Sequence, residues 1–227
     1  MRVYKFYRAD YARQAILKQR LKLTTLNDVN DPFELRAVSS GDQRIRLELE
    51  RWRQEKSREL AFISFSRGRK NPVVWSHYAD NYRGVCLGFQ VDDKYLAEIE
   101  YTQSRLMFPR YDLKERMASS DWRKRIFPFV TKFAHWQYED ELRAFHELGG
   151  ADVIHDNGLC FQPFGDTFTL KEIILGPGYQ PVKNADERKE IMDAVAQFEG
   201  CSTKTARLAF NEFEVAIQHE RSRQKQI

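Results

Sequence analysis

Glu139 and Glu141 stand two positions apart in the run Tyr138-Glu139-Asp140-Glu141-Leu142-Arg143-Ala144-Phe145. Successive strand residues point to opposite faces, so a strand that begins by Tyr138 puts both carboxylates on one face. Two acids so placed repel and desolvate each other unless a cation, a metal or a substrate hydroxyl occupies the space between them. The plainer alternative is a solvated strand edge with Glu141 paired to Arg143. Ser64 and Ser66, in Ser64-Phe65-Ser66, share a strand face in the same way. Near the N-terminus Tyr4, Lys5, Tyr7 and Arg8 combine aromatic rings with cations.

The pattern of apolar residues supplies elements to carry these groups. Val3 to Tyr7 alternates as a strand, and Asp10 caps a helix over about 11–20. Leu21 and Leu23 mark a short strand. Gln43 to Glu59 reads as a charged helix, and Leu60 to Ser66 as a buried strand. Asn71-Pro72 opens a helix through about Tyr82, with proline at its favoured first position. Gly84 stops it before the strand Val85 to Val91, and Ile99 to Tyr101 follows as a short strand. A helix over about 113–135, bent near Pro128, is expected next. Strands follow over about 138–145 and 168–175. Asn184 caps a helix to about Phe198, and 206–217 reads as a closing hairpin, with a single helix as the alternative. These elements describe one α+β domain over residues 1–220 with a frayed tail, 221–227.

Composition narrows the classes. The 227 residues are 42% hydrophobic and 13% aromatic, which fits a folded protein with a substantial core. No apolar run approaches the roughly 20 residues that cross a bilayer. Three cysteines stand far apart with no metal-ligand spacing, which suggests a reducing, cytoplasmic setting without a zinc site. The net charge is +4. Basic residues gather in Arg67, Arg69 and Lys70, and again in Arg105, Arg110, Lys114, Arg116, Arg123, Lys124, Arg125 and Lys132. That field suits a phosphate-bearing partner, although Asp112, Glu115 and Asp121 interrupt it as they would on a solvated helix face.

Four spaced motifs resemble a bacterial family of unknown function, the domain-of-unknown-function group 2971. They are Asn30-Asp31-Pro32-Phe33-Glu34; Trp75-Ser76-His77-Tyr78-Ala79 leading into Gly84–Phe89; Tyr138–Arg143; and Leu170–Gly176. More loosely, the order of a basic or aromatic first strand, S-x-S on a middle strand and E-x-E on a late strand is similar to the ADP-ribosyltransferase superfamily. That resemblance implies a mixed, mainly antiparallel split sheet with flanking helices, and NAD as substrate. Glu141 would be the catalytic carboxylate and Glu139 the acid that orients the acceptor. Tyr4, Lys5, Arg8, Ser64, Ser66, Trp75 and Tyr78 would surround the dinucleotide, although Trp75 and Phe65 read better as core. Asn30, Asp31, Glu34, Arg67, Arg69 and Lys70 would meet the acceptor, with Asp31-Pro32 also readable as a tight turn.

The function this implies is transfer of ADP-ribose from NAD to a macromolecule, with nucleic acid the preferred acceptor and protein the other. A toxin or phage-defence role, restrained by an antitoxin or chaperone, follows from the same resemblance. Two other readings stand beside it. Asp31, Glu34, Glu139 and Glu141 are oxygen ligands of the kind a metal-dependent nuclease or phosphohydrolase uses. The basic central segment alone would serve a non-catalytic nucleic-acid-binding module.

Overall fold

Strand β1 (Arg2–Tyr7) lies inside a sheet because its neighbours on both sides come from far along the chain. The computed structural model describes the chain apart from Asn30, Glu34, Leu35, Trp122, Arg123 and Arg125, and apart from the side chains of Arg110 and Tyr111. After β1 come helix α1 (Ala9–Leu17), strands β2 (Arg20–Lys22) and β3 (Thr24–Thr25), helix α2 (Gln43–Glu59) and strand β4 (Leu60–Ser66). Helix α3 (Pro72–Tyr78) leads to β5 (Val85–Gln90), β6 (Ala97–Glu98) and β7 (Glu100–Thr102). Helix α4 (Arg110–Ala118) precedes β8 (Thr131–Phe133), β9 (Glu141–Glu147), β10 (Ile154–Asp156), β11 (Leu159–Pro163) and β12 (Thr169–Leu175). Helix α5 (Ala185–Ala196) and strands β13 (Ser202–Leu208) and β14 (Val215–Ile217) complete the chain.

Among the described residues, nine strands form one mixed sheet in the order β14-β13-β12-β5-β1-β4-β9-β6, with β3 added to β4. Only β12 and β13 in it run parallel. The protein is thus a single α+β fold. β1 pairs with β5 over six positions but meets β4 at one, Tyr4 opposite Ser66. The two halves of the sheet therefore part at the β1–β4 seam.

The sheet's two faces differ. On one, Val3, Ile63, Phe65, Leu87, Leu142 and Ile173 are buried beneath α1 and α5, which contribute Ala12, Ile16 and Ile191. On the other, apolar residues divide into two groups. Trp75, Ala79, Cys86 and Ile174 pack at one end, and Leu26, Phe62, Ile126 and Phe129 at the other. Between them lies a polar strip, because β4 and β9 pair Ser66 with Glu141 and Ser64 with Arg143 on that face.

Several expectations are corrected. The helix over 113–135 is instead α4, a 3-10 turn at Phe127–Phe129, strand β8 and a second 3-10 turn at Ala134–Glu139. Proline and a buried run of aromatic and β-branched residues from Ile126 to Thr131 favour short turns and strand over a long helix. Helix α3 ends at Tyr78, four residues early, because Asp80, Asn81 and Tyr82 take left-handed φ values of 48°, 49° and 67°. At Gly84 an added Cβ would sit 2.0 Å from the Tyr7 carbonyl oxygen, so only glycine lets that turn approach β1. The strands β10 and β11 had no counterpart in the sequence pattern.

The tail is not frayed. Lys225 Nζ donates to the carbonyls of Pro177 and Tyr179 at 2.7 and 2.9 Å, and Ile227 is buried. No helix among the described residues is long and apolar enough to cross a membrane.

Candidate functional site

Strand β9 begins at Glu141, so Glu139 does not share its strand. Glu139 closes the 3-10 turn, and Asp140 at φ 45° redirects the chain into β9. The end of β4 fixes that turn. Ser66 Oγ donates to the Glu139 carbonyl at 2.7 Å, the Arg67 amide to the Asp140 carbonyl at 2.9 Å, and Asn71 Nδ2 to the Tyr138 carbonyl at 2.9 Å. Two residues of opposite backbone conformation thus bring their carboxylates together by a different route from strand alternation.

The carboxylates meet on one cation. Lys132 Nζ, from β8, lies 2.6 Å from Glu139 Oε2 and 3.1 Å from Glu141 Oε2. Glu141 Oε1 also accepts from Ser64 Oγ at 2.6 Å and from Arg143 Nε at 2.7 Å, while Arg143 Nη2 reaches Oε2 at 3.1 Å. Four donors therefore occupy the acceptor positions of Glu141. Glu139 Oε1 takes the Tyr78 hydroxyl from α3. Arg143 is completely enclosed, with Nη1 on the Phe129 carbonyl at 2.7 Å and its guanidinium 4.3 Å over the Phe62 ring.

Burial pushes the Glu141 carboxyl above its usual range, while Lys132 and the Ser64 hydroxyl pull it back. Its contacts to three cationic N–H groups are those of a carboxylate, and we read it as ionised. Burial works against the charge on Lys132, but Glu141 and Glu139 beside it outweigh burial and raise its pKa. The four charges balance, two acids against two bases, which is what lets the acids lie close together.

The seam between β1 and β4 opens above this network as a cavity of about 340 Å³, lined by Tyr4, Lys5, Ser64, Ser66, Tyr78, Lys132, Glu139 and Glu141. Pockets that hold small molecules span about 300–1,000 Å³. Lys5 Nζ donates to the Ser64 carbonyl at 3.1 Å, across the seam, and lies 5.5 Å from the Tyr7 ring centre. Burial lowers its pKa to about 8. Asp28 and Val29 close the far wall.

The cavity thus gathers Tyr4, Lys5, Ser64, Ser66, Tyr78, Glu139 and Glu141 from four separate stretches of chain. Three other expectations fail on placement. Trp75 is fully buried and spends its indole N–H on the Arg69 carbonyl at 2.7 Å, so it packs the core and faces no ligand. Arg8 is exposed beside Asp10 at 3.5 Å, because β1 ends one residue earlier, and it does not line the cavity. Asp31 is buried and caps the Phe33 amide at 2.8 Å, a local turn like those aspartate forms beside proline. Asn30 and Glu34 lie outside the described residues.

The basic loop divides. Arg67 pairs with Glu98 at 3.0 Å and Asp140 at 3.4 Å, and Lys70 with Glu214 at 2.9 Å. Arg69 lies by Tyr4, whose hydroxyl burial and Glu172 hold protonated more firmly than usual. Lys70 borders a second depression of about 370 Å³ that touches Glu139 from the outside, with Tyr138, Asp140 and Phe213.

Lys132 and Tyr101 were not singled out by the sequence. Lys132 stood in a basic series that looked like a helix face, and Tyr101, whose hydroxyl accepts the Glu141 amide at 2.9 Å, carried no motif. Of the four acids of the metal reading, Glu139 and Glu141 meet on Lys132 and Glu34 lies outside the described residues. Asp31 serves its own backbone, and among the described residues no three His, Cys, Asp or Glu side chains are arranged to hold a metal ion. Comparison of the chain with protein-family models, curated proteins and solved structures found no match.

Proposed function

We propose that the chain transfers ADP-ribose from NAD to a nucleophile on a macromolecule, at the cavity between β1 and β4 and in a fold of ADP-ribosyltransferase type. The observation that carries this reading is the Lys132 ammonium held between Glu139 and Glu141. Two buried carboxylates converge there on one positive charge beside an open cavity. Cleavage of the nicotinamide–ribose bond develops positive charge at the sugar's C1′, as glycoside cleavage does. A carboxylate pair at that point stabilises the transition state more than the neutral ground-state sugar.

In this mechanism the C1′–N bond breaks and its electron pair leaves with nicotinamide. The acceptor's nucleophile then bonds to C1′ and gives its proton to Glu139. Arg143, Ser64 and Lys132 fix Glu141, and a ribose hydroxyl donates to Glu139, each of whose oxygens holds one donor among the described residues. Tyr4 and Tyr78 supply walls for the nicotinamide and ribose, and Lys5 a charge for the diphosphate. Nucleic acid is the preferred acceptor, reached through the depression that Lys70 and Tyr138 border.

The test is incubation of purified protein with radiolabelled NAD and with RNA, DNA or protein, scored for label transfer and nicotinamide release. We expect transfer by the wild type and none by Glu139→Gln. Failure of the wild type to bind NAD or release nicotinamide would reject the reading.

A second reading is favoured by the four donors on Glu141. A carboxylate with no vacant acceptor position suits a cavity that binds a phosphorylated nucleoside through Lys5 and does not turn it over. Saturable NAD binding without nicotinamide release would select it.

A further inference from the structure

A second concave site lies away from the cavity, where α2 meets two loops. Arg46 and Arg53 are seven residues apart, two helical turns, and so share one side of α2. Arg36 and Arg105 come from loops joined by the bridge between Val38 and Leu106. Together the four arginines line a cleft of about 250 Å³. Among the described residues that line it Glu50 is the one acid, against four arginines. Such crowding is unfavourable unless a polyvalent anion enters.

Arg105 and Arg46 are positioned by neutral carbonyls, and Arg53 is paired with Glu50. Arg105 donates Nε and Nη2 to the Arg36 carbonyl at 2.9 and 2.7 Å, and Nη2 also to the Val38 carbonyl at 3.0 Å. Arg46 Nη1 donates to the carbonyls of Ser40 and Gly41 at 2.9 and 2.8 Å. These neutral acceptors hold the side chains in place and leave their charge intact. Arg53 chelates Glu50 with Nη2 at 2.7 Å and Nε at 3.3 Å, while Arg36 Nη2 stands 3.8 Å away. Hydrogen bonding from Arg53 and the nearby Arg36 hold the Glu50 carboxyl below its usual range, as a positive local field requires. Trp52 forms one wall, its ring stacked on Phe129 at 5.0 Å and 2°.

We propose that this cleft is a phosphate-binding site, taking either a nucleotide or the phosphodiester backbone of a nucleic acid. Guanidinium N–H groups match phosphate oxygens, and although the Nε/Nη2 edges of Arg105 and Arg53 are spent on Arg36, Val38 and Glu50, the other N–H groups of the four arginines, from three segments, supply donors for a doubly charged group. The site does not depend on the chemistry of the carboxylate cavity. Phe62 lines that cavity and Trp52 lines the cleft, and both pack on the cluster of Leu26, Ile126 and Phe129.

The test titrates the intact protein with inorganic diphosphate, with ADP and with a short fluorescent single strand, at low and moderate salt. Arg36→Glu/Arg46→Glu reverses two exposed charges. Lys183→Glu/Lys189→Glu makes the same net change elsewhere as the control. We expect roughly tenfold or greater loss of binding in the first variant and wild-type binding in the second. Arg46→Gln, which can still reach the Ser40 and Gly41 carbonyls, should give a smaller loss in the same direction. Loss confined to diphosphate and ADP assigns a small ligand, and loss of the strand with a reduced salt slope assigns a backbone. No binding of any probe by the wild type, or equal binding by both double variants, would overturn the proposal.

Discussion

Lys132 and Glu139 form an ion pair closed off from solvent: their charged atoms are 2.6 Å apart and their side chains 5% and 7% exposed. The same ammonium reaches Glu141, so its loss would leave two buried carboxylates with Arg143 as their one cationic partner among these contacts. Breaking a buried pair costs about 3–5 kcal/mol because the orphaned charge stays desolvated. Lys132→Met should therefore lower unfolding free energy by about that amount in urea denaturation. The loss should shrink as pH falls, because a carboxyl of raised folded pKa binds its proton more readily in the folded chain than in the unfolded one. A loss below ~1 kcal/mol, or one independent of pH, would show that the acids do not depend on Lys132.

Lys5 makes a second pH dependence. Burial takes its pKa from 10.5 to about 8. Between those values the unfolded chain holds the proton and the folded chain does not, so stability rises with pH across that window. The burial cost is fully present below about 8. Removing the amine should abolish this contribution, so Lys5→Met should be most stabilising relative to wild type at neutral pH and least so near pH 10. Parallel denaturation curves of the two proteins across that range measure the difference. A difference that does not vary with pH would mean that Lys5 titrates as an ordinary surface lysine.

Elements whose ends carry strong local signals were legible. Helix α2 spans the residues expected of it, and Asn71-Pro72 and Asn184 start α3 and α5 with their side chains on the Val73 and Asp186 amides. Alternation over 206–217 suits the hairpin of β13 and β14 but also allows a single helix, and the pairing of β13 with β12 and β14 decides between them. What failed depends on tertiary packing. Residues 126–139 alternate between short turns and a three-residue strand because Ile126 and Phe129 pack on Phe62 and Phe145 of β4 and β9 while Phe127 packs on Val38, Ile45 and Leu113, which no local periodicity records. The acids at Glu139 and Glu141 were visible as a pair, but their counter-ion was not. Lys132 reaches them only because that misjudged segment folds back. Arg143 was visible as a neighbour of Glu141, yet a pairing that looked like a solvated edge proves almost wholly buried.

The C-terminal residues bear weight. Gln224 Oε1 accepts the Thr205 amide at 3.3 Å, Lys225 N donates to Thr205 Oγ1 at 2.7 Å, and Ile227 reaches the main core. These contacts tie the tail to β13 and to the turn at Pro177–Tyr179. Deleting residues 221–227 should cost about 2–4 kcal/mol, the sum of one buried isoleucine and a few hydrogen bonds. Thermal melting of the truncated chain reads this directly. An unchanged melting temperature would mean that the tail rests on the surface without stabilising it.

The two glutamates should separate cleanly by mutation. Glu141→Gln leaves Arg143, which is 1% exposed, without its bidentate carboxylate. Its cost should therefore be structural, about 3–5 kcal/mol, and should be largely recovered when Arg143→Met removes the stranded cation. Glu139→Gln leaves one amide oxygen for either Lys132 or the Tyr78 hydroxyl, while Lys132 keeps Glu141, so its cost should stay below that of Glu141→Gln, about 1–3 kcal/mol. Under the proposed chemistry Glu139→Gln still loses label transfer, because an amide cannot take the acceptor's proton. Chemical denaturation of the two single variants and the double variant, run beside the NAD assay, distinguishes the roles. If Glu139→Gln proves the more destabilising change while transfer persists, Glu139 is a structural acid and the proton must go elsewhere.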